Sequence, residues 1–140
     1  MLTPLDFGVL MLGAAGIICL TLTVYAWRHR ATPGTRAFVL LCLAAAVWSL
    51  GYLGEILAPD IATKIFWGKS QYLGIVLIPY GWLTLSLQLT DQGRWFRPRW
   101  HALLLIIPIL TVILVWTTES HGLVWRTISL DESGPFPALD

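Results

Sequence analysis

The sequence predicts an all-α fold, a polytopic membrane helical bundle of four transmembrane helices joined by short loops. Hydrophobic residues make up 56% of the 140 residues and charged residues only 12%, whereas about a quarter of a typical soluble domain is charged. The mean hydropathy is +0.72, and the apolar residues lie in long blocks instead of alternating with polar ones. Composition and block pattern together exclude an ordinary soluble domain.

Four apolar runs are long enough to cross a bilayer, which needs about 20 apolar residues in a helix. Helices are predicted because lipid offers the backbone no hydrogen-bond partner, and because the runs lack the two-residue alternation of a barrel strand. The predicted spans are residues 7–27, 37–57, 65–89 and 101–117, within a four-helix region at 1–118.

Arginine residues cluster in the loops after the first and third spans, at residues 28–36 and 91–100. The segments at the opposite end keep only Lys64 and Arg126. Since cytoplasmic loops carry the excess of Lys and Arg, we expect a multi-pass inner (plasma) membrane protein with both Arg-rich loops in the cytoplasm and the N-terminus extracytoplasmic. Residues 119–140 are predicted to form an extracytoplasmic loop or tail, with a short strand or amphipathic piece at 123–130.

Two charges, Glu55 and Lys69, lie inside the second and third spans. A charged group at membrane depth costs about 2.5–3.5 kcal/mol on insertion scales. Counted along antiparallel neighbouring helices, both residues are expected in the outer leaflet at one level, about 3–9 Å inside its boundary. They are therefore predicted to lie close enough to meet.

Other polar and aromatic side chains share the faces on which these charges lie. Trp48 and Tyr52 precede Glu55 at helical spacing on the second helix. On the third helix Tyr72 shares a stripe with Lys69, and Gln71 lies on the adjacent stripe.

Three interpretations of Glu55 and Lys69 remain open at this stage. The side chains could extend to the outer headgroups without any function. They could instead form an ion pair that fixes the register of two helices, or they could line an outward-facing polar pocket for a small ligand or a proton.

Two prolines, Pro79 in the third span and Pro108 in the fourth, each remove one backbone hydrogen bond. Such residues are the commonest cause of a sharp helix kink. They are hinge candidates, and a static packing kink is the alternative.

Several short segments follow one another through nearly the whole chain. They include Trp48-Ser-Leu-Gly-Tyr52 ahead of Glu55, Gln71-Tyr-Leu-Gly-Ile75 with Pro79 four residues on, and His121-Gly-Leu-Val-Trp125. In this order they resemble the N-terminal seven-transmembrane sensor region of bacterial histidine kinases.

The resemblance implies a membrane-embedded sensory input module that detects a small ligand or membrane signal. It also implies a cytoplasmic PAS, histidine kinase or diguanylate cyclase output domain in the complete protein. Glu55, Gln71 and Tyr72 match the shared pattern, and His121 and Trp125 join the candidate ligand-binding residues through it. Since four spans are predicted where the family has seven, we expect this chain to be a truncated part of a seven-helix sensor domain.

Two other function classes remain as alternatives, a small four-helix proton-coupled transporter and a structural membrane subunit. Such transporters tend to carry their acidic residue in the first helix and to have little difference in positive charge between the two sides of the membrane. In this chain Glu55 lies in the second span, and the arginines lie mostly on one side. We find no catalytic motif and no metal-ligand spacing that combines Cys19 and Cys42 with the three histidines. We therefore expect no enzyme activity in this chain, no metal, no cofactor and no nucleic-acid partner. The expected partners are the lipid bilayer, a small-molecule ligand, the output domain and a second copy in a homodimer.

Overall fold

The computed structural model describes residues 3–90, 98–122, 124, 130–131 and 138–139. Its helices are α1 (Pro4–Arg28), α2 (Thr35–Leu57), α3 (Ile61–Ile75), α4 (Leu77–Leu89), α5 (Pro98–Trp116) and α6 (Thr118–His121). Two short strands, β1 (Leu130–Asp131) and β2 (Ala138–Leu139), pair antiparallel with Leu130 opposite Leu139.

The predicted membrane helical bundle is confirmed. Within the described residues, four helical stretches are long and apolar enough to cross a membrane: α1, α2, the α3–α4 stretch at Ile61–Leu89, and α5. Each helix begins a few residues before its apolar run, because the first helical turn contains polar residues that the runs exclude.

The two ends of the bundle are named by their residues. The Glu55 end contains the α2–α3 connection and α6. The Arg-rich end, opposite to it, contains residues 28–36 and the start of α5.

Side-chain caps fix where α1 and α3 begin. The Thr3 hydroxyl accepts from the backbone N–H of Asp6 at 3.1 Å, and the Asp6 carboxylate accepts from the backbone N–H of Thr3 at 3.0 Å. This reciprocal capping box satisfies two donors that the helix leaves unpaired. Asp60 caps α3 by accepting from the backbone N–H of Thr63 at 2.8 Å. This hydrogen bond also holds the pKa of the Asp60 carboxyl below its usual value.

The turn between α1 and α2 depends on Gly34. Its φ is 84°, in the left-handed region where a side chain is unfavourable. A Cβ built there would lie 3.3 Å from side-chain atoms of Leu85 and Leu89 on α4. Gly34 therefore both reverses the chain and lets the turn lie against α4.

The centre of the bundle is α2, which packs against α1, α3 and α4. Many of its buried residues are small: Ala37, Cys42, Ala44, Ala46 and Gly51. Small residues let helix backbones approach closely, which is how membrane helices gain packing energy where lipid is as apolar as the helix surface. The large apolar side chains of α1 and α5 are mostly exposed, as expected for faces that contact lipid.

The third predicted span is interrupted at Val76, between α3 and α4. Pro79 has no N–H to donate to the carbonyl of Ile75, the last residue of α3. The sequence predicts one helix over 65–89 with a weakened turn before Pro79, and the structure shows a break at that turn. Pro108, in contrast, lies inside the continuous helix α5.

Most of the predicted strand or amphipathic piece at 123–130 lies outside the described residues. The pairing of β1 with β2 begins at its last residue, Leu130.

Candidate functional site

Glu55 and Gln71 meet in the interface between α2 and α3. Glu55 is only 4% exposed, Gln71 is also buried, and the Gln71 side-chain amide donates to the Glu55 carboxylate. The helices approach closely here because Gly51 lies one turn before Glu55. A Cβ at Gly51 would lie 2.9 Å from Cβ and 3.2 Å from Cα of Gln71.

Lys64 closes the same end of α2 from the first turn of α3. The Lys64 ammonium donates to the backbone carbonyl of Glu55 at 2.9 Å, and the residue is buried. That carbonyl lies in the last turn of α2 and also accepts from the backbone N–H of Ala58 at 3.3 Å. A cation there complements the helix dipole. The sequence pattern groups Lys64 with the outer loop, whereas the structure places it inside the helix interface.

Lys69 contacts a residue that follows α5 in the chain. Its ammonium contacts the carboxylate of Glu119 in α6 and lies 3.4 Å from the backbone carbonyl oxygen of Trp116. The Lys69 side chain is 8% exposed and that of Glu119 is 64% exposed. The hydrogen bond from Lys69 holds the pKa of the Glu119 carboxyl below its usual value.

The two charges that the sequence predicts to meet thus make contacts with other groups. The amide of Gln71 contacts Glu55, and the carboxylate that contacts Lys69 belongs to Glu119. The sequence pattern does not single out Glu119, because it predicts residues 119–140 as one loop or tail. The available signal was the position of Glu119, the first acidic residue after the fourth span and at the same predicted membrane level as Lys69.

The remaining predicted site residues lie around these contacts. Tyr52 and Tyr72 are half-buried, and the Trp48 side chain is 46% exposed, so its ring does not point wholly inward. His121 lies in α6 with its Nε2 atom 3.1 Å from the Thr117 hydroxyl oxygen. Trp125 lies outside the described residues.

Both hinge candidates line one apolar cleft between α4 and α5. The cleft has a volume of about 350 Å³, and Tyr80 and Thr111 line it together with Pro79 and Pro108. Tyr80 also contacts α5 directly, with its hydroxyl oxygen 2.9 Å from Nδ1 of His101. The sequence pattern does not predict that the two prolines face one space.

Contacts also hold α5 against α3 at the Glu55 end. The rings of Phe66 and Trp116 pack edge to face with centroids 6.2 Å apart, next to the Lys69 contact. α5 is therefore fixed near both of its ends and separated from α4 between them.

Glu55, Gln71 and Lys69 offer a carboxylate, an amide and an ammonium, each buried, and Glu119 adds an exposed carboxylate. These groups suit hydrogen bonding and ion pairing with a polar ligand. Within the part of the chain that the structure describes, no group of three or more His, Cys, Asp or Glu side chains is arranged to hold a metal ion.

Comparison with known families identifies the chain. Residues 11–140 match the model of the family described as the N-terminal 7TM region of histidine kinase. No curated protein and no solved structure matches the chain. The family implies a membrane sensory input region, with a cytoplasmic output domain in the full protein. The match covers nearly the whole chain, and the four apolar helices agree with it, so this chain belongs to the family of N-terminal seven-transmembrane regions of histidine kinases.

Proposed function

We propose that this chain senses a small polar ligand at its Glu55 end and that this end faces the outside of the cell. The orientation rests on the arginine-rich loops at the opposite end. The observation that carries the ligand site is the contact between Lys69 and Glu119, in which a buried ammonium is covered by an exposed carboxylate.

This contact suits a site that responds to a ligand. A buried ammonium requires a partner of opposite charge or strong acceptors, and Glu119 supplies one from a four-residue helix outside the spans. A polar ligand that binds Lys69 or Glu119 changes this contact without unfolding a membrane helix. The ligand shifts the receptor between two states only by as much as it binds one of them better.

The same contact connects the site to the rest of the bundle through α5. α5 is held to α3 beside Lys69, and to α4 at Tyr80 and His101. A change at Glu119 is expected to shift α5 against α4 across the cleft that Pro79 and Pro108 line. Because a location between two sites is not itself evidence of coupling, the test must measure output.

The test uses the complete receptor, with its output domain, in membrane vesicles, and measures basal autophosphorylation. Lys69→Met and Glu119→Gln each break the contact, so both variants should change basal output in the same direction, by about fivefold or more. The double variant should change it no further than the larger single effect, because both substitutions remove one interaction.

Lys64→Met is the matched control. It removes a second buried lysine from the same helix, one that caps α2 and makes no contact with Glu119 in the structure. It is expected to lower stability and leave basal output near the wild-type level. Unchanged output in both Lys69→Met and Glu119→Gln would overturn the proposed site. Proton-driven substrate flux in liposomes that Glu55→Gln abolishes would instead indicate a transporter.

A further inference from the structure

A basic cleft lies at the Arg-rich end, between the α1–α2 connection and α4. It has a volume of about 270 Å³ and is lined by Arg30, Ala31, Thr32, Pro33, Gly34, Arg36 and Gln88. Both arginine side chains are exposed, and no acidic side chain lines the cleft among the residues that the structure describes. Two guanidinium groups and one amide form a donor set that suits a phosphate group.

A second cleft, which is apolar, lies deeper between α1, α2 and α4. It also has a volume of about 270 Å³, and its lining includes Phe38, Ala45, Ile78 and Trp82. Trp82 is 60% exposed, so this cleft opens toward the surrounding lipid. The two clefts differ in chemistry as the headgroup and the acyl chain of a lipid do.

The helical spacing aligns the clefts along two continuous faces. On α4, Gln88 of the basic cleft is followed toward the membrane centre by Leu85, Trp82 and Ile78 of the apolar cleft, at intervals of three or four residues. Along α2, Gly34 at its N-cap is followed by Phe38, Leu41 and Ala45 of the apolar cleft, again at intervals of three or four residues. The ten residues between Gln88 and Ile78 span about 15 Å of helix, which is about half of the hydrocarbon thickness of a bilayer.

We propose that these two clefts form one site for an anionic phospholipid of the leaflet at the Arg-rich end. Its phosphate lies between Arg30 and Arg36 and accepts from the Gln88 amide, while one acyl chain passes Leu85 and lies against Phe38 and Trp82. Charge complementarity selects an anionic headgroup, and the rise of about 15 Å along α4 from Gln88 to Ile78 matches one acyl chain within one leaflet. This site is separate from the ligand site at the Glu55 end.

The test titrates the full chain, in a neutral detergent, with phosphatidylglycerol and with phosphatidylcholine, and counts bound lipid by native mass spectrometry. Phosphatidylglycerol should bind more tightly than phosphatidylcholine. The double variant Arg30→Gln/Arg36→Gln should weaken phosphatidylglycerol binding by about 30-fold. Each basic residue near an anionic membrane surface raises the affinity by about fivefold to sixfold, and the two factors multiply.

Matched variants separate this site from general attraction to a basic surface. Arg28→Gln/Arg99→Gln removes the same charge from the same end, and neither arginine lines either cleft. For the acyl-chain part, Ala45→Leu fills the apolar cleft, and Ala14→Leu adds the same side chain to an exposed face of α1 outside it. Only Arg30→Gln/Arg36→Gln and Ala45→Leu should weaken binding.

Four outcomes would overturn the proposal. The first two are equal binding of both phospholipids and an equal loss of phosphatidylglycerol binding in the control variants. The third is competition by free glycerol phosphate with the same affinity as the whole lipid. The fourth is a second copy of the chain bound over the two clefts in place of lipid.

Discussion

At the scale of single residues, each buried charge at the Glu55 end contacts a group brought to it by another segment. Gln71 contacts Glu55 across 16 residues of chain, and Glu119 contacts Lys69 across 50. A charged side chain with such a contact costs less free energy at membrane depth than a charged side chain without a partner. The exposed member, Glu119, is the one that solvent and solutes reach.

The pKa of Glu119 provides a direct test of the contact with Lys69. The pKa of this carboxyl lies below its usual value because Lys69 donates a hydrogen bond to it. Because the pKa is lower in the folded than in the unfolded protein, the contact stabilises the fold at pH values above the unfolded-state pKa. This stabilisation is lost as the pH falls through the folded-state pKa. An NMR titration of the Glu119 side-chain carbon should therefore show a midpoint below the usual value, about 4.3, and Lys69→Met should raise that midpoint.

Asp60 is the internal control for this titration, because its pKa is also lowered but by hydrogen bonds from Thr63. Its midpoint should not move in Lys69→Met. A Glu119 midpoint that stays the same in the variant would show that Lys69 does not contact Glu119 in the membrane.

Sequence reasoning finds those site residues that share a helix face and misses the ones that only folding brings together. Helical spacing places Glu55 on a face with Tyr52, and Lys69 on one with Tyr72, from local geometry alone. No periodicity connects Lys69 with Glu119, since a separate segment after the fourth span supplies the carboxylate. Lys64 was missed for a related reason, because a polar residue next to a proline-containing loop looks like part of that loop.

At the scale of helices, the contact between α2 and α3 depends on glycines that face the partner backbone. A Cβ at Gly74 would overlap the carbonyl oxygen of Ala44 and lie 2.9 Å from the backbone N of Trp48. The atoms in the way belong to the backbone of α2, so a side-chain rotation cannot relieve the overlap. The two helices would have to move apart along the interface that also holds Glu55 and Gln71.

Gly74→Ala is therefore expected to destabilise the bundle by about 1–3 kcal/mol, the usual cost of overpacking. Gly13→Ala is the matched control, because a Cβ there would meet only a side-chain carbon of Leu53, at 3.8 Å. The measurement is the free energy of unfolding in mixed micelles. Equal stability of the two variants would contradict the close α2–α3 contact.

The helices themselves could be predicted from the apolar runs, but the break between α3 and α4 could be predicted only in part. Pro79 marks the weakened turn, yet Pro108 is an equal signal in the sequence and leaves α5 continuous. The difference between the two depends on packing. α4 lies against α2 through Gly81, where a Cβ would approach the Leu41 side chain to 2.8 Å, so the chain after Pro79 has to follow a neighbouring helix.

At the scale of the whole molecule, the two ends of the bundle carry different chemistry. The Glu55 end contains buried polar groups beside the exposed carboxylate of Glu119, and the Arg-rich end presents exposed guanidinium groups beside an apolar cleft. The proposed ligand site and the proposed lipid site therefore lie on opposite sides of the membrane. This separation follows from the alternation of the four spans and from the orientation that the arginine-rich loops predict.

Labelling of single cysteines tests that orientation. In a background with Cys19→Ala and Cys42→Ala, Pro59→Cys places a thiol at an exposed position of the α2–α3 connection, and Thr32→Cys places one at an exposed position of the α1–α2 connection. If the arginine-rich loops are cytoplasmic, a membrane-impermeant maleimide should label Pro59→Cys in intact cells and Thr32→Cys only after permeabilisation. Ser120→Cys, exposed in α6, should behave as Pro59→Cys does, because α5 returns the chain to the Glu55 end. Labelling of Thr32→Cys in intact cells would invert the orientation and move the proposed ligand site to the cytoplasmic side. Opposite behaviour of Pro59→Cys and Ser120→Cys would instead contradict the crossing of the membrane by α3, α4 and α5.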